Sequence, residues 1–301
     1  MHPALKRGLE NLLAPVARVR LSRSRASDGV LVLAYHNIVP DALPPVGDRA
    51  LHLPQATFAR QLDFLQQWFD VIPLASLAGP GTTAERPCAI ITFDDAYRGA
   101  VSIGLGELKS RGLPATVFVA PGLLNDHSFW WDALARGADG LDRELRRRAL
   151  GELRGEDAAV RAWAATRALP SSAMPDVWRS ATETELQGAM YPGLSLGSHT
   201  WSHPNLARLD GDQLGRELQH SRQWLEQHFG GAFVPWLTYP YGLFSASVLE
   251  AAVAAGYVGA FRIDGGWARP RPGRFDLPRL NVASGLSIEG FALRAAGLLA
   301  R

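Results

Sequence analysis

From residue 30 onward the chain alternates short apolar, β-branched runs with longer stretches of helical period, which restricts it to βα units wound on a largely parallel sheet. The runs fall at residues 30–35, 89–93, 115–119, 194–197, 234–238, 257–261 and 277–282, and seven strands suit a barrel. Between them, residues 57–69 set Phe58, Leu62, Leu65 and Phe69 on one helical face behind a Thr57 cap. Residues 210–229 form a second amphipathic helix, started by Asp210 with Gln213 and stopped by Gly230-Gly231. The interval between the third and fourth runs is too long for one crossover and reads as a helical insertion, about residues 125–190. It opens with Phe129-Trp130-Trp131-Asp132, read as packing anchors with a substrate groove as the alternative.

The residues before 30 are of another kind. From Lys6 to Arg25, six basic residues (Lys6, Arg7, Arg18, Arg20, Arg23 and Arg25) stand against one acid, Glu10, and are interleaved with Leu5, Leu9, Leu12, Leu13, Val16, Val19 and Leu21. Residues 1–29 therefore read as a basic amphipathic arm: a terminal helix packed on the domain, or an interfacial helix on a membrane surface. Pro15 is expected to interrupt it. Residues 30–301 read as one domain. A net charge of +2, without a basic tract interleaved with aromatics, argues against a nucleic-acid partner. Cys88, alone and inside an apolar run, offers no disulfide. With neither a spanning segment nor a secretion signal evident, the expected location is cytoplasmic, peripheral on the inner membrane face if the arm is interfacial.

Chemistry gathers where the runs end, the face on which parallel barrels build active sites. The first run leads into His36-Asn37, the second into Asp94-Asp95, the fourth into His199-Thr200-Trp201-Ser202-His203, the fifth into Tyr239-Pro240-Tyr241-Gly242, and the last carries Arg279. Adjacent carboxylates repel and need a cation or strong donors to stay ionised. Two histidines four apart in a loop can turn both imidazoles to one point. Two imidazoles and one carboxylate suit a single divalent ion, Zn2+ first, with Co2+, Ni2+ or Fe2+ as alternatives, and leave positions for water and a substrate oxygen. The remaining carboxylate is free to take a proton from water, so the residues point to metal-assisted hydrolysis.

Thr92-Phe93-Asp94-Asp95-Ala96 resembles the T-F-D-D-G motif of the polysaccharide deacetylases, the NodB-homology group of carbohydrate esterase family 4. His199 to His203 resembles that family's H-S/T-x-x-H motif, and Thr238-Tyr239-Pro240-Tyr241 its R-x-P-Y motif, in the same order. The resemblance covers roughly residues 30–282. It implies a distorted (β/α)7 barrel that removes the N-acetyl group from an amino sugar in a glycan or lipid-linked glycan. By the same carry-over Asp94 is the general base, Asp95, His199 and His203 hold the metal, and Pro240 and Tyr241 meet the substrate, the Tyr241 N–H facing the oxyanion. Trp267 is matched to the tryptophan of the family's D-x-x-D-W motif, without its acidic partners.

The chain also departs from the pattern. Ala96 replaces a glycine and is expected at negative φ, and Thr238 replaces the arginine that holds the base, a task Arg279 can take from the other side. The family's final L-x-H, source of the general acid, meets Leu280-Asn281-Val282. By elimination among the eight histidines His36 is the candidate acid, the alternative being a polarised water assisted by Arg279. Two other functions stay open: hydrolysis of a non-sugar amide on the same scaffold, and a carbohydrate-binding pseudoenzyme.

Overall fold

The computed structural model describes residues 3–25, 29–43, 46–78, 85–136, 140–269 and 274–299. Its strands are β1 (Val30–Tyr35), β2 (Asn37–Val39), β3 (His52–Pro54), β4 (Asp70–Val71), β5 (Cys88–Phe93), β6 (Ala115–Val119), β7 (Leu194–Ser198), β8 (Phe233–Thr238), β9 (Gly259–Phe261), β10 (Trp267–Ala268) and β11 (Leu280–Asn281). Its helices are α1 (Pro3–Arg23), α2 (Gln55–Trp68), α3 (Leu105–Ser110), α4 (Trp130–Ala133), α5 (Arg143–Gly151), α6 (Asp157–Ala165), α7 (Glu183–Gly188), α8 (Gly211–Phe229), α9 (Ala246–Ala254) and α10 (Ile288–Ala295). The main sheet runs β10-β1-β5-β6-β7-β8-β9, with β11 on β1 and β4 on β5. Every pairing in it is parallel except β1 with β10. Strands β1 and β5 are buried at every position, as parallel strands covered on both faces must be, and this is why they read as unbroken apolar runs.

The sheet curls into a distorted barrel. The last expected strand is divided between its two edges: Leu277 bridges Phe261 of β9, while Leu280 and Asn281 pair with Leu33 and Ala34 of β1. Between them Pro278 has no N–H for a ladder and Arg279 is fully buried, so this short link joins the two edges without forming one regular strand.

Three further expectations change. Helix α2 begins before Thr57, with Pro54 at its N-cap, and the Ala56 N–H is held by the Asp41 carboxylate. The strand expected at 257–261 keeps only its last three residues. Helix α1 runs through Pro15, which stands on its exposed side. Packing holds it there: Ala14, Ala17 and Leu21 are buried, Arg20 Nε donates to the Ala296 carbonyl at 2.6 Å, and Ser287 Oγ donates to Glu10 at 2.8 Å. No described helix is long and apolar enough to cross a membrane.

Candidate active site

His36, the Asp94-Asp95 pair, His199, His203 and Tyr241 follow the carboxyl ends of β1, β5, β7 and β8, whereas Arg279 stands on the link just before β11. Asp94 N–H donates to the Tyr35 carbonyl at 2.9 Å, bringing the ends of β5 and β1 together, and His199 N–H donates to Val119 O at 2.8 Å, doing the same for β7 and β6. The turns beyond these strands are strained. Asp95, Ala96, Thr200, His203 and Tyr241 all have φ between +52° and +70°, a region that non-glycine residues rarely occupy and that gathers at functional sites. Ala96 is thus at positive φ, contrary to expectation; it sits where the family's glycine would be unstrained.

The strain is held by hydrogen bonds. Glu217 of α8 accepts the Trp201 and Ser202 N–H groups at 2.9 and 2.8 Å and the Ser202 hydroxyl at 2.6 Å. Thr200 Oγ1 accepts the His203 N–H at 3.1 Å. This clamp turns the two imidazoles toward each other, with His199 Nε2 and His203 Nε2 3.0 Å apart. Asp95 Oδ1 lies 3.5 Å from the first and 3.3 Å from the second. Among the described residues these three form a group whose donor atoms lie close enough to hold one ion, and all three are buried.

His199 is oriented by a residue that looked like a loss in the sequence. Its Nδ1 lies 2.9 Å from the Thr238 carbonyl and 2.7 Å from Thr238 Oγ1. The carbonyl can only accept, so the proton sits on Nδ1 and the Nε2 lone pair faces Asp95 and His203. The sequence held no signal for this, because one contact uses main chain and the other a threonine hydroxyl brought in from a neighbouring strand.

Asp94 and Asp95 are separated by their surroundings. Arg279 grips Asp94 with two bonds, Nη1 to Oδ1 at 2.8 Å and Nη2 to Oδ2 at 2.6 Å, in a fork in which both partners are buried. Arg279 is itself held by Thr92 Oγ1 and the Arg262 carbonyl, each at 3.1 Å. Burial alone would raise the Asp94 carboxyl; Arg279 and His199 overcome it and hold the group well below the usual carboxylate range. Asp95 has no such partner: burial, then the neighbouring Asp94 and Asp132, push it well above that range. Oδ1 of Asp95 is buried without a hydrogen bond. Burial also lowers both His199 and His203, which favours their neutral form.

The cavity over this floor is walled by Trp130, Trp131 and Tyr241, with His36, Arg146, Tyr239 and Ile263 around it. Trp131 stands 4.9 Å from the His203 ring and perpendicular to Tyr241, and Trp130 Nε1 donates to Tyr241 Oη at 3.2 Å. The tryptophan pair therefore both packs and lines the cavity. Behind it is a buried network that sequence reasoning missed. Asp132 accepts from Tyr97 Oη at 2.7 Å, from the Asp48 N–H at 2.8 Å and faces His52 Nε2 at 2.9 Å, while Trp131 Nε1 donates to Tyr97 Oη at 2.8 Å.

Two expected substrate residues lie elsewhere. Pro240 is buried and does not line the cavity, which takes its neighbours Tyr239, Tyr241 and Gly242 instead. Trp267 pairs with Leu31 near the start of β1, far along the strand from its carboxyl end, packs on Phe69 and donates to the Ala295 carbonyl at 3.0 Å. It is a packing residue between the sheet and α10. His36 does line the cavity, half-buried, but burial lowers its imidazole to about 4, with Asp94 only partly opposing. That shift favours the neutral ring over the imidazolium a general acid would use near neutral pH, which weakens the case for His36 as the acid.

The polysaccharide deacetylase family model matches residues 81–260, more than half of the chain. The chain belongs to the polysaccharide deacetylase family. As a member it is a hydrolase of carbon–nitrogen bonds other than peptide bonds, and the matched span carries the Asp pair, both histidines and Tyr241. YxkH of Bacillus subtilis (strain 168), assigned by name to the polysaccharide deacetylases, is 28% identical over 264 residues, covering 86% of this chain and 74% of that protein. Two solved structures share the fold. The Streptococcus pyogenes deacetylase PplD in complex with acetate has a TM-score of 0.62 at 17% identity, covering 89% of this chain and 98% of its own. IcaB from Ammonifex degensii has a TM-score of 0.62 at 18% identity, covering 89% and 97%.

Proposed function

We propose that this deacetylase removes the acetyl group from an N-acetylated amino sugar in a glycan or lipid-linked glycan, using one divalent ion held by Asp95, His199 and His203. The observation that carries this is the convergence of three buried ligand atoms, 3.0, 3.3 and 3.5 Å apart, beside a separate carboxylate neutralised by Arg279. A tetrahedral site with ligands at about 2.1 Å has edges of about 3.4 Å, so the triangle fits such an ion with little adjustment. The unpartnered Asp95 Oδ1 and the raised Asp95 carboxyl fit it too, since a cation there supplies the charge the pocket lacks. Two nitrogens and one oxygen suit Zn2+, with Co2+, Ni2+ and Fe2+ as alternatives. A bound ion would polarise the acetyl carbonyl and acidify the attacking water.

The remaining steps belong to the chain. Asp94, kept ionised by Arg279 but free of the ligand triangle, accepts the proton of the attacking water as its oxygen adds to the acetyl carbon. The same Arg279 makes protonated Asp94 a strong acid, so it returns that proton to the sugar nitrogen as the carbon–nitrogen bond breaks and acetate leaves. One group then serves in both directions, which accommodates the missing L-x-H histidine and the neutral His36. Tyr241, backed by the buried Trp130 and Trp131, gives a sugar ring a flat apolar face to pack on.

Acetate release from N-acetyl sugars, oligosaccharides and lipid-linked glycans, measured with and without chelator, tests the proposal. Turnover that stops on chelation and returns with Zn2+ is the expected result. Sugar binding without acetate release would favour the binding reading, and release only from non-sugar amides would move the substrate class.

A further inference from the structure

The inner face of α1 is used by packing on α10; its outer face is not. Leu5, Leu9, Leu12, Val16 and Val19 recur at alternating intervals of four and three residues and so form one stripe along the helix, with Leu12 74% exposed and Leu5 66% exposed. A helix on a water-soluble domain normally shows polar residues there. The stripe continues onto a second element, since Leu298 and Leu299 are also exposed and line a groove with Val16, Val19, Arg20 and Arg23. Five contiguous large apolar side chains on a solvent face mark an interaction surface.

Charge identifies the occupant. Arg7, Arg18, Arg20 and Arg23 are exposed on α1, whereas its one acid, Glu10, is 5% exposed and turned inward onto Ser287. The solvent side of the helix is therefore apolar and cationic with no acidic side chain of its own. Pairing with a second copy would bring the Arg20 and Arg23 end of one stripe against arginines of another, with nothing on the helix to neutralise them. A bilayer with anionic headgroups meets both features: the stripe enters the boundary between headgroups and acyl chains, and the arginines pair with lipid phosphates.

We propose that the outer face of α1 docks this enzyme on an anionic lipid bilayer. No α1 residue lines the catalytic cavity, so lipid contact leaves it open and the proposal stands independently of the substrate.

Co-sedimentation of the full chain with phosphatidylcholine vesicles, with and without phosphatidylglycerol, tests this. The expected result is pelleting with the anionic vesicles alone. Leu9→Glu with Leu12→Glu should lower the bound fraction at least tenfold, and Arg23→Gln should weaken binding about fivefold. An unchanged melting temperature shows that the fold is kept; should the double variant prove insoluble, Leu12→Gln alone carries the test, with a smaller loss in the same direction. Wild-type protein left in the supernatant with anionic vesicles would overturn the proposal, as would a double variant that pellets like wild type. A dimer seen by light scattering and dissolved by the double variant, with no vesicle binding, would replace the bilayer by a second copy.

Discussion

Asp94 holds a negative charge where water hardly reaches, and Arg279 makes that tolerable. The two cannot be separated cheaply: removing one partner of a buried ion pair leaves the other uncompensated, at a cost of about 3–5 kcal/mol. Asp94→Asn should therefore lose both activity and stability, kcat falling by roughly 10²–10⁴ because an amide cannot accept the water's proton, while metal content stays at the wild-type level. Elemental analysis, chemical denaturation and acetate release together check this; loss of metal in Asp94→Asn would mean that Asp94 is itself a ligand. For His36 the expectation is milder. A group titrating at about 4 is neutral throughout the neutral range, so His36→Gln should keep kcat within about tenfold and leave the basic limb of the pH–rate profile in place. Disappearance of that limb would restore His36 as the acid.

At the level of elements, what the sequence made legible was whatever a strand end announces. The apolar runs of β1, β5 and β6 were read correctly because burial on both faces leaves a continuous pattern, and the Asp pair and the two histidines follow from where such runs stop, while Arg279 was read from within the last run. What escaped were contacts that no local pattern encodes: the Thr238 carbonyl on His199, the Glu217 clamp from α8, and the network joining Asp132 of α4 to His52 and Tyr97. Trp267 was misplaced for the complementary reason, since a motif tryptophan gives no hint of which end of a strand it pairs with. The Asp132 network carries a prediction of its own. It fixes Trp131, through Tyr97, against His203, and Asp132→Ala would strand the buried Tyr97 hydroxyl and His52 ring. The expected cost is about 2–4 kcal/mol in urea denaturation, with a raised KM as Trp131 loses its place, and a much smaller effect for Asp132→Asn, which still accepts. Equal effects of the two variants would mean that the network contributes volume and not hydrogen bonds. Gly197 sets a similar limit in β7: a Cβ there would lie 2.4 Å from the Phe118 ring, so Gly197→Ala should displace the strand that carries His199 and lower metal occupancy.

For the molecule as a whole, ion binding and folding are coupled through Asp95. Its carboxyl is raised in the folded protein by burial, Asp94 and Asp132, so without a cation the group favours its neutral form, and the stability it contributes is full below the unfolded carboxylate value and lost as pH rises through the folded one. A bound ion reverses the demand, because it needs the carboxylate and displaces the proton. Burial lowers both His199 and His203 and so favours their neutral form, which leaves the Asp95 proton as the main one displaced on binding. Metal affinity should therefore rise with pH, and the gap in stability between metal-loaded and metal-free protein should widen in the same direction. At about a hundred times the dissociation constant an ion adds about 2.7 kcal/mol, or roughly 5 °C in melting temperature for a chain of this size. Melting curves with Zn2+ and with chelator, taken at several pH values, should show this difference shrinking as the solution is acidified. Asp95→Asn, which cannot ionise, should abolish both the difference and its pH dependence. A metal effect in wild type that stayed constant across pH would mean that the ion does not take its charge partner from Asp95.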